Sequence, residues 1–188
     1  MNPRTVVLVE GVSDRVAVLT LARRLGRDLT AEGVEVVDLG GATNVGRWLG
    51  ALVAGEDHGR GVRLTGLYDV AEERFFRRGL ERAGLGVVPD RETLEQRGFF
   101  GCVEDLEDEL IRALGVRRVE AVVEAHGDLA SLHLMQRQPA QRNREPHQQL
   151  RRFLGTRSGR KETYAEALVE ALDLGRLPGP LAGLLGRI

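Results

Sequence analysis

The sequence predicts an α/β fold: about four strands in a mainly parallel sheet, flanked by helices, with a C-terminal helical extension. Three observations carry this reading. Four short apolar runs, at residues 5–9, 34–39, 62–68 and 99–103, alternate with segments whose apolar residues recur at helical spacing. The first run, Thr5-Val6-Val7-Leu8-Val9, shows no polar alternation, as expected of a strand covered by helices on both faces. Beyond Gly115 only helical patterns remain. Residues 1–115 are therefore read as the α/β domain, and residues 116–188 as a helical extension with a basic loop, packed on the same domain.

The elements follow in order. Glu10 and Gly11 close the first strand, and Ser13 or Asp14 is placed to cap a helix carrying Val16, Val18, Leu19, Ala22 and Leu25. Gly33 turns the chain into the second strand. Gly40 and Gly41 then make a tight turn into a helix with Val45, Trp48, Leu49 and Leu52; a phosphate-binding turn is the weaker alternative, because the full pattern is missing. A polar loop at 55–61 leads to the third strand, which stops on Asp69. The next helix carries Phe75 and Phe76, read as core residues rather than stacking platforms for bases. Residues 87–98 are a charged connection with a short helix near 92–96.

The fourth strand holds the single cysteine, Cys102, which cannot form an internal disulfide and reads as a small core residue. It runs into Glu104-Asp105-Leu106-Glu107-Asp108-Glu109, five acids in six positions, opening a helix through Leu110, Ile111 and Leu114. Acids in a first turn favour the helix dipole, but five exceed what a cap needs. Helical patterns cover 116–126 and 129–135. Residues 136–146 read as a polar loop, and shorter helices follow near 147–154, 162–172 and 181–185. The loop at 155–161 lacks the glycine spacing and the preceding buried strand of a phosphate loop.

A chain of 188 residues, 42% hydrophobic, can bury a core as one domain. It has no apolar run of about 18 residues and no leader, so a cytoplasmic protein without membrane contact is expected. The net charge of −1 hides an asymmetry. Residues 137–161 hold eight basic residues and one acid, while residues 1–136 hold 17 basic and 23 acidic ones. That pattern places a polyanion-facing strip beside an acidic site: Arg137, Arg142, Arg144, Arg151, Arg152, Arg157 and Arg160. A solvated arginine-rich linker is the alternative. Lys161 is the only lysine among 27 basic residues, and lysine differs from arginine as a compact point charge.

Strands one, three and four thus each run into acids at the edge where open α/β sheets bind ligands. Convergent carboxylates there are hard oxygen donors suited to Mg²⁺ or Mn²⁺. Zinc is disfavoured, because His58, His126, His133, His147 and Cys102 lack ligand spacing. A carboxylate metal site beside a basic strip points to a phosphodiester partner.

Glu10-Gly11-x-Ser13-Asp14 after an apolar strand resembles the opening motif of the TOPRIM domain of topoisomerases, primases and related nucleases. Its nearest likeness is the OLD (overcoming lysogenization defect) family, here without the ATPase domain. The resemblance implies a metal-dependent nuclease site in which Glu10 and Asp14 match the first motif and Asp69 the first acid of Asp-x-Asp. Glu107 resembles the later acidic motif, with Glu104 as a competing choice, and Lys161 matches the downstream lysine. Asp69-Val70-Ala71 departs from the pattern, since alanine stands where the second aspartate is expected; Glu72 or Glu73 is the substitute at hand.

Two functions remain open. One is a DNA endonuclease or nickase, with RNA as the alternative substrate. There Glu10, Asp14, Asp69, Glu73, Glu104 and Glu107 supply the metal ligands, and Glu10 and Lys161 carry the chemistry. The other is a catalytically weak or inactive module that binds metal and nucleic acid and acts with a separate ATPase.

Overall fold

Strands β1 (Thr5–Val9), β2 (Val34–Asp38), β3 (Arg63–Asp69) and β4 (Phe99–Cys102) pair in parallel, in the order β2-β1-β3-β4. The computed structural model describes residues 3–54, 61–155 and 159–188. The helices are α1 (Val12–Arg24), α2 (Val45–Ala54), α3 (Glu73–Arg82), α4 (Arg91–Gln96), α5 (Leu106–Leu114) and α6 (Val116–Ala125). They continue with α7 (Leu129–Gln136), α8 (Pro146–Leu154), α9 (Arg160–Ala171) and α10 (Gly179–Leu185).

The side-chain alternation of β1 divides the core in two. Val6 and Leu8 join Val45, Leu49, Phe76, Leu80 and Leu94 on one face, and Phe76 packs against the rings of Tyr68 and Phe99. Val7 and Val9 join Val18, Leu21, Leu110, Phe153 and Leu168 on the other. Full burial of each such aliphatic side chain is worth about 1.5–3 kcal/mol, so two covered faces hold β1 firmly in register. Cys102 is buried in the second layer, and desolvation pushes its thiol far above the usual range, as befits a core residue.

The C-terminal helices belong to that same layer. Tyr164, Leu168 and Val169 of α9 share their core with Leu21 and Ala22 of α1. Arg24 of α1 donates from Nη1 to the carbonyls of Val169 and Leu172 at 2.8 and 2.9 Å, satisfying groups that the end of α9 leaves open.

Three boundaries differ from expectation. Helix α1 starts at Val12, so Gly11 is the N-cap and Asp14 is the third helical residue instead of the cap. Helix α8 starts on Pro146, whose fixed φ suits a first helical position. Helix α9 starts at Arg160, which puts Lys161 in a helical turn instead of a loop. The expected loop at 55–61 falls, except for Gly61, outside the described residues, and His58 with it.

The strand order fixes where a ligand can sit. The connection after β1 leads to β2 on one side, and the connection after β2 crosses back to β3 on the other. Between the carboxyl ends of β1 and β3 the two connections diverge and leave a crevice.

Candidate metal centre at the sheet edge

Glu10 and Asp69 stand on the two sides of that crevice. Glu10 Oε1 accepts a hydrogen bond from the Asp69 backbone N–H at 2.8 Å. Below it Gly40 and Gly41, both with positive φ, turn the chain so that the Gly41 N–H reaches the Glu10 carbonyl oxygen at 2.8 Å. Asp14 reaches back from the first turn of α1 and accepts from the Gly11 N–H at 3.0 Å. These three acids, with Asp105, Glu107, Lys161 and Glu162, line a cleft of about 280 Å³.

The acidic run after β4 is largely spent on structure. Asp105 caps α5 by accepting from the Asp108 N–H at 2.8 Å, and Arg151 ties both Asp105 and Glu104, at 2.7 and 2.9 Å. Asp108 pairs with His147 and, at 2.9 Å, with Arg112. Glu109 accepts from the Val103 N–H and from Arg112. Glu107 differs. It is only 4% exposed, its Oε1 has no hydrogen-bond partner among the described residues, and its one ion pair is with Lys161 Nζ at 3.4 Å.

Burial and mutual repulsion leave the cleft overloaded with negative charge. Desolvation raises Glu10 above the usual carboxylate range, against the pull of the Asp69 N–H. Burial, then the Glu107 charge, pushes Asp14 up to about 7. Burial, then Glu10 and Asp14, pushes Asp69 up to about 8. Desolvation works against the charge of Lys161, but Glu107 and Asp105 outweigh it, and its pKa is raised.

The fold therefore brings Glu10, Asp14, Asp69, Glu107 and Lys161 to one cleft and leaves other candidates outside it. Glu73 pairs with Arg77 and Arg91 at 3.5 and 3.2 Å and does not line the cleft. Glu104 is exposed and neutralised by Arg151. Of the two acids following Ala71, Glu72 is the one whose charge reaches Glu10. Asp105 and Glu162 line the cleft although no motif singled them out; Asp105 was visible as part of the acidic run, and Glu162 only as the neighbour of Lys161.

The basic strip divides as well. Arg144, Arg151, Arg152, His147 and Lys161 line a groove of about 520 Å³ that shares Asp105, Glu107 and Lys161 with the acidic cleft. Arg137 and Arg142 are exposed beyond it, where Arg142 Nε donates to the Arg137 carbonyl. Arg160 is an interior residue: it is 8% exposed, stacks over Phe153 at 4.1 Å and bonds Asp128. It cannot meet a polyanion from there. Arg157 lies outside the described residues.

The residues present fit a hard divalent cation. The donors are carboxylate oxygens, two of them (Glu107 Oε1 and Glu162 Oε2) lack hydrogen-bond partners among the described residues, and the raised pKa values record a charge excess that a cation relieves. Among the described residues no group of three ligating side chains is already arranged around a metal position.

The four-stranded parallel sheet flanked by helices matches the TOPRIM fold of the C-terminal regions of OLD proteins. The chain resembles in particular the TOPRIM domain of the OLD family: residues 3–55 match the family "Overcoming lysogenization defect protein-like, TOPRIM domain". The fold is similar to the C-terminal region of the OLD protein of Xanthomonas campestris pv. campestris, with TM-score 0.68 and 25% identity, covering 98% of this chain and 93% of that one. It is also similar to the C-terminal region of the Burkholderia pseudomallei OLD protein, with TM-score 0.66 and 21% identity, covering 100% of this chain and 97% of that one. No curated protein matches the sequence. Among the described residues no helix is long and apolar enough to cross a membrane.

Proposed function

We propose that this chain is a divalent-metal-dependent phosphodiesterase that cuts nucleic acid, most naturally a DNA endonuclease or nickase using Mg²⁺ or Mn²⁺. The observation that carries it is the meeting of Glu10, Asp14, Asp69 and Glu107 with the single lysine in one cleft at the topological switch point. A bound divalent ion supplies polarisation of a phosphoryl oxygen and a water of lowered pKa.

The protein's own groups do the rest. Glu10, Asp14, Asp69 and Glu107 hold the ion. Lys161 Nζ, kept charged and placed by Glu107, faces the charge that develops on the phosphate oxygens. Arg144 and Arg152, exposed on the adjoining groove, hold the flanking backbone, with Arg137 and Arg142 farther out.

A second reading is a module that binds metal and nucleic acid without cutting, as partner of a separate ATPase. Ala71 favours it, because β3 then contributes one carboxylate where two are expected. Incubating supercoiled plasmid with the protein and Mn²⁺ or Mg²⁺, against Glu10→Ala, separates the two. Nicked or linear product lost in the variant supports the enzyme; intact supercoils with salt-sensitive DNA binding support the module.

A further inference from the structure

Glu162 is the third residue of α9, where a carboxylate ordinarily reaches back to the N-cap backbone. No such bond is formed among the described residues. Its Oε2 is shut off from solvent and has no hydrogen-bond partner, and it forms no ion pair among the described residues. A carboxylate oxygen in that condition is costly unless something else satisfies it. The side of the structure it faces is the acidic cleft, which it lines with Glu10, Asp14, Asp69 and Glu107.

We propose that Glu162 is a further ligand of the divalent ion bound in this cleft, an inference that rests on reading the cleft as a metal centre. Opposite it, β3 offers Asp69 alone: Ala71 has no donor atom, is exposed, and does not line the cleft. The oxygen that β3 lacks is supplied from across the crevice by the first turn of α9. That turn then carries two opposite charges with separate tasks, Lys161 toward the phosphate and Glu162 toward the ion. Packing of α9 on α1 holds Glu162 in a fixed relation to Asp14.

The test is calorimetric titration of Mn²⁺ into the wild-type chain, Glu162→Gln, Glu162→Asp and Glu10→Gln, with a melting curve of each in chelator. Glu162→Gln should weaken Mn²⁺ binding by about tenfold or more, the scale on which a lost metal-site partner is felt. Its metal-free melting temperature should hold or rise, because an unsatisfied charge is gone. Glu162→Asp, charged but shorter, should bind with intermediate affinity. Mn²⁺ affinity unchanged in Glu162→Gln, or a fall in metal-free stability without a change in affinity, overturns the assignment while leaving the centre intact. A wild-type chain that takes up no Mn²⁺ overturns both this inference and the proposed function.

Discussion

Glu10 and Asp69 are joined across the crevice, the carboxylate of one accepting the backbone N–H of the other at 2.8 Å. The bond closes the gap between β1 and β3 beyond their last ladder pair, and it also aligns two acids that repel each other. Charge repulsion and hydrogen bonding thus act on the same group in opposite directions.

Glu10→Gln keeps an acceptor for the Asp69 N–H and removes the repulsion. Its melting temperature should match or exceed that of the wild type without metal, while metal-dependent plasmid cleavage disappears. Glu10→Ala orphans the N–H, a cost of about 1–3 kcal/mol that relief of repulsion offsets in part. Paired melts and nicking assays of the two variants check this; cleavage surviving in Glu10→Gln would remove Glu10 from the site.

Asp14 and Asp69 titrate near 7 and 8 in the folded chain, against 3.8 for an ordinary aspartate. Through that interval the folded state holds protons that the unfolded state has shed. Metal-free stability therefore falls as pH rises from 3.8 toward 8. Mn²⁺ binding should show the opposite trend and tighten with pH, since those protons must leave first. Melting curves across the range, in chelator and in Mn²⁺, should converge at low pH and separate at high pH.

Lys161→Ala should reduce single-turnover cleavage about 100-fold or more while changing DNA affinity by little, because the lost charge acts on the developing phosphate charge. Lys161 is half exposed, but its partner Glu107 is buried with no other ion pair among the described residues, so losing the pair should also lower stability, by about 3 kcal/mol. Equal losses in affinity and turnover would make Lys161 an ordinary backbone contact.

The arginines should separate into two groups. Arg160→Ala empties an interior position stacked on Phe153 and bonded to Asp128, and should cost about 2 kcal/mol of stability. Arg144→Ala and Arg152→Ala should leave melting unchanged and each lower the salt slope of DNA binding by about 1. Urea unfolding and fluorescence anisotropy at several salt concentrations measure both.

Gly66 tests the sheet itself. A Cβ there would enter the van der Waals shell of the Leu8 carbonyl oxygen on the neighbouring strand, with Phe99 crowding it from the other side. Gly66→Ala should destabilise by about 3 kcal/mol, visible as a reduced yield of folded protein and an earlier urea midpoint.

The strands were legible because uninterrupted apolar runs such as Thr5–Val9 have few alternatives in a domain this size. The acids at the ends of β1 and β3 were legible because a carboxylate closing a buried strand has no packing role. What the chain order concealed was pairing at a distance. Arg151 and Arg160 count toward a basic strip when charges are summed locally, yet one neutralises Glu104 and Asp105 and the other is enclosed. Glu104 and Glu107 looked equivalent within one run; only the adjacency of α5, α8 and α9 tells them apart. Glu162 carried no signal beyond its place next to Lys161, since glutamate at a third helical position is ordinary.

Seating α9 against α1 has a consequence for any attempt to miniaturise this protein. Asp14 rises from one of those helices, and Lys161 and Glu162 from the other, so one wall of the cleft is donated by two residues far from the sheet in chain order. A fragment stopping at residue 115 would keep every strand yet forfeit the cation and one wall of the chamber. It would also bare the oily flank of α1 to water, leaving the truncated piece prone to stick to itself.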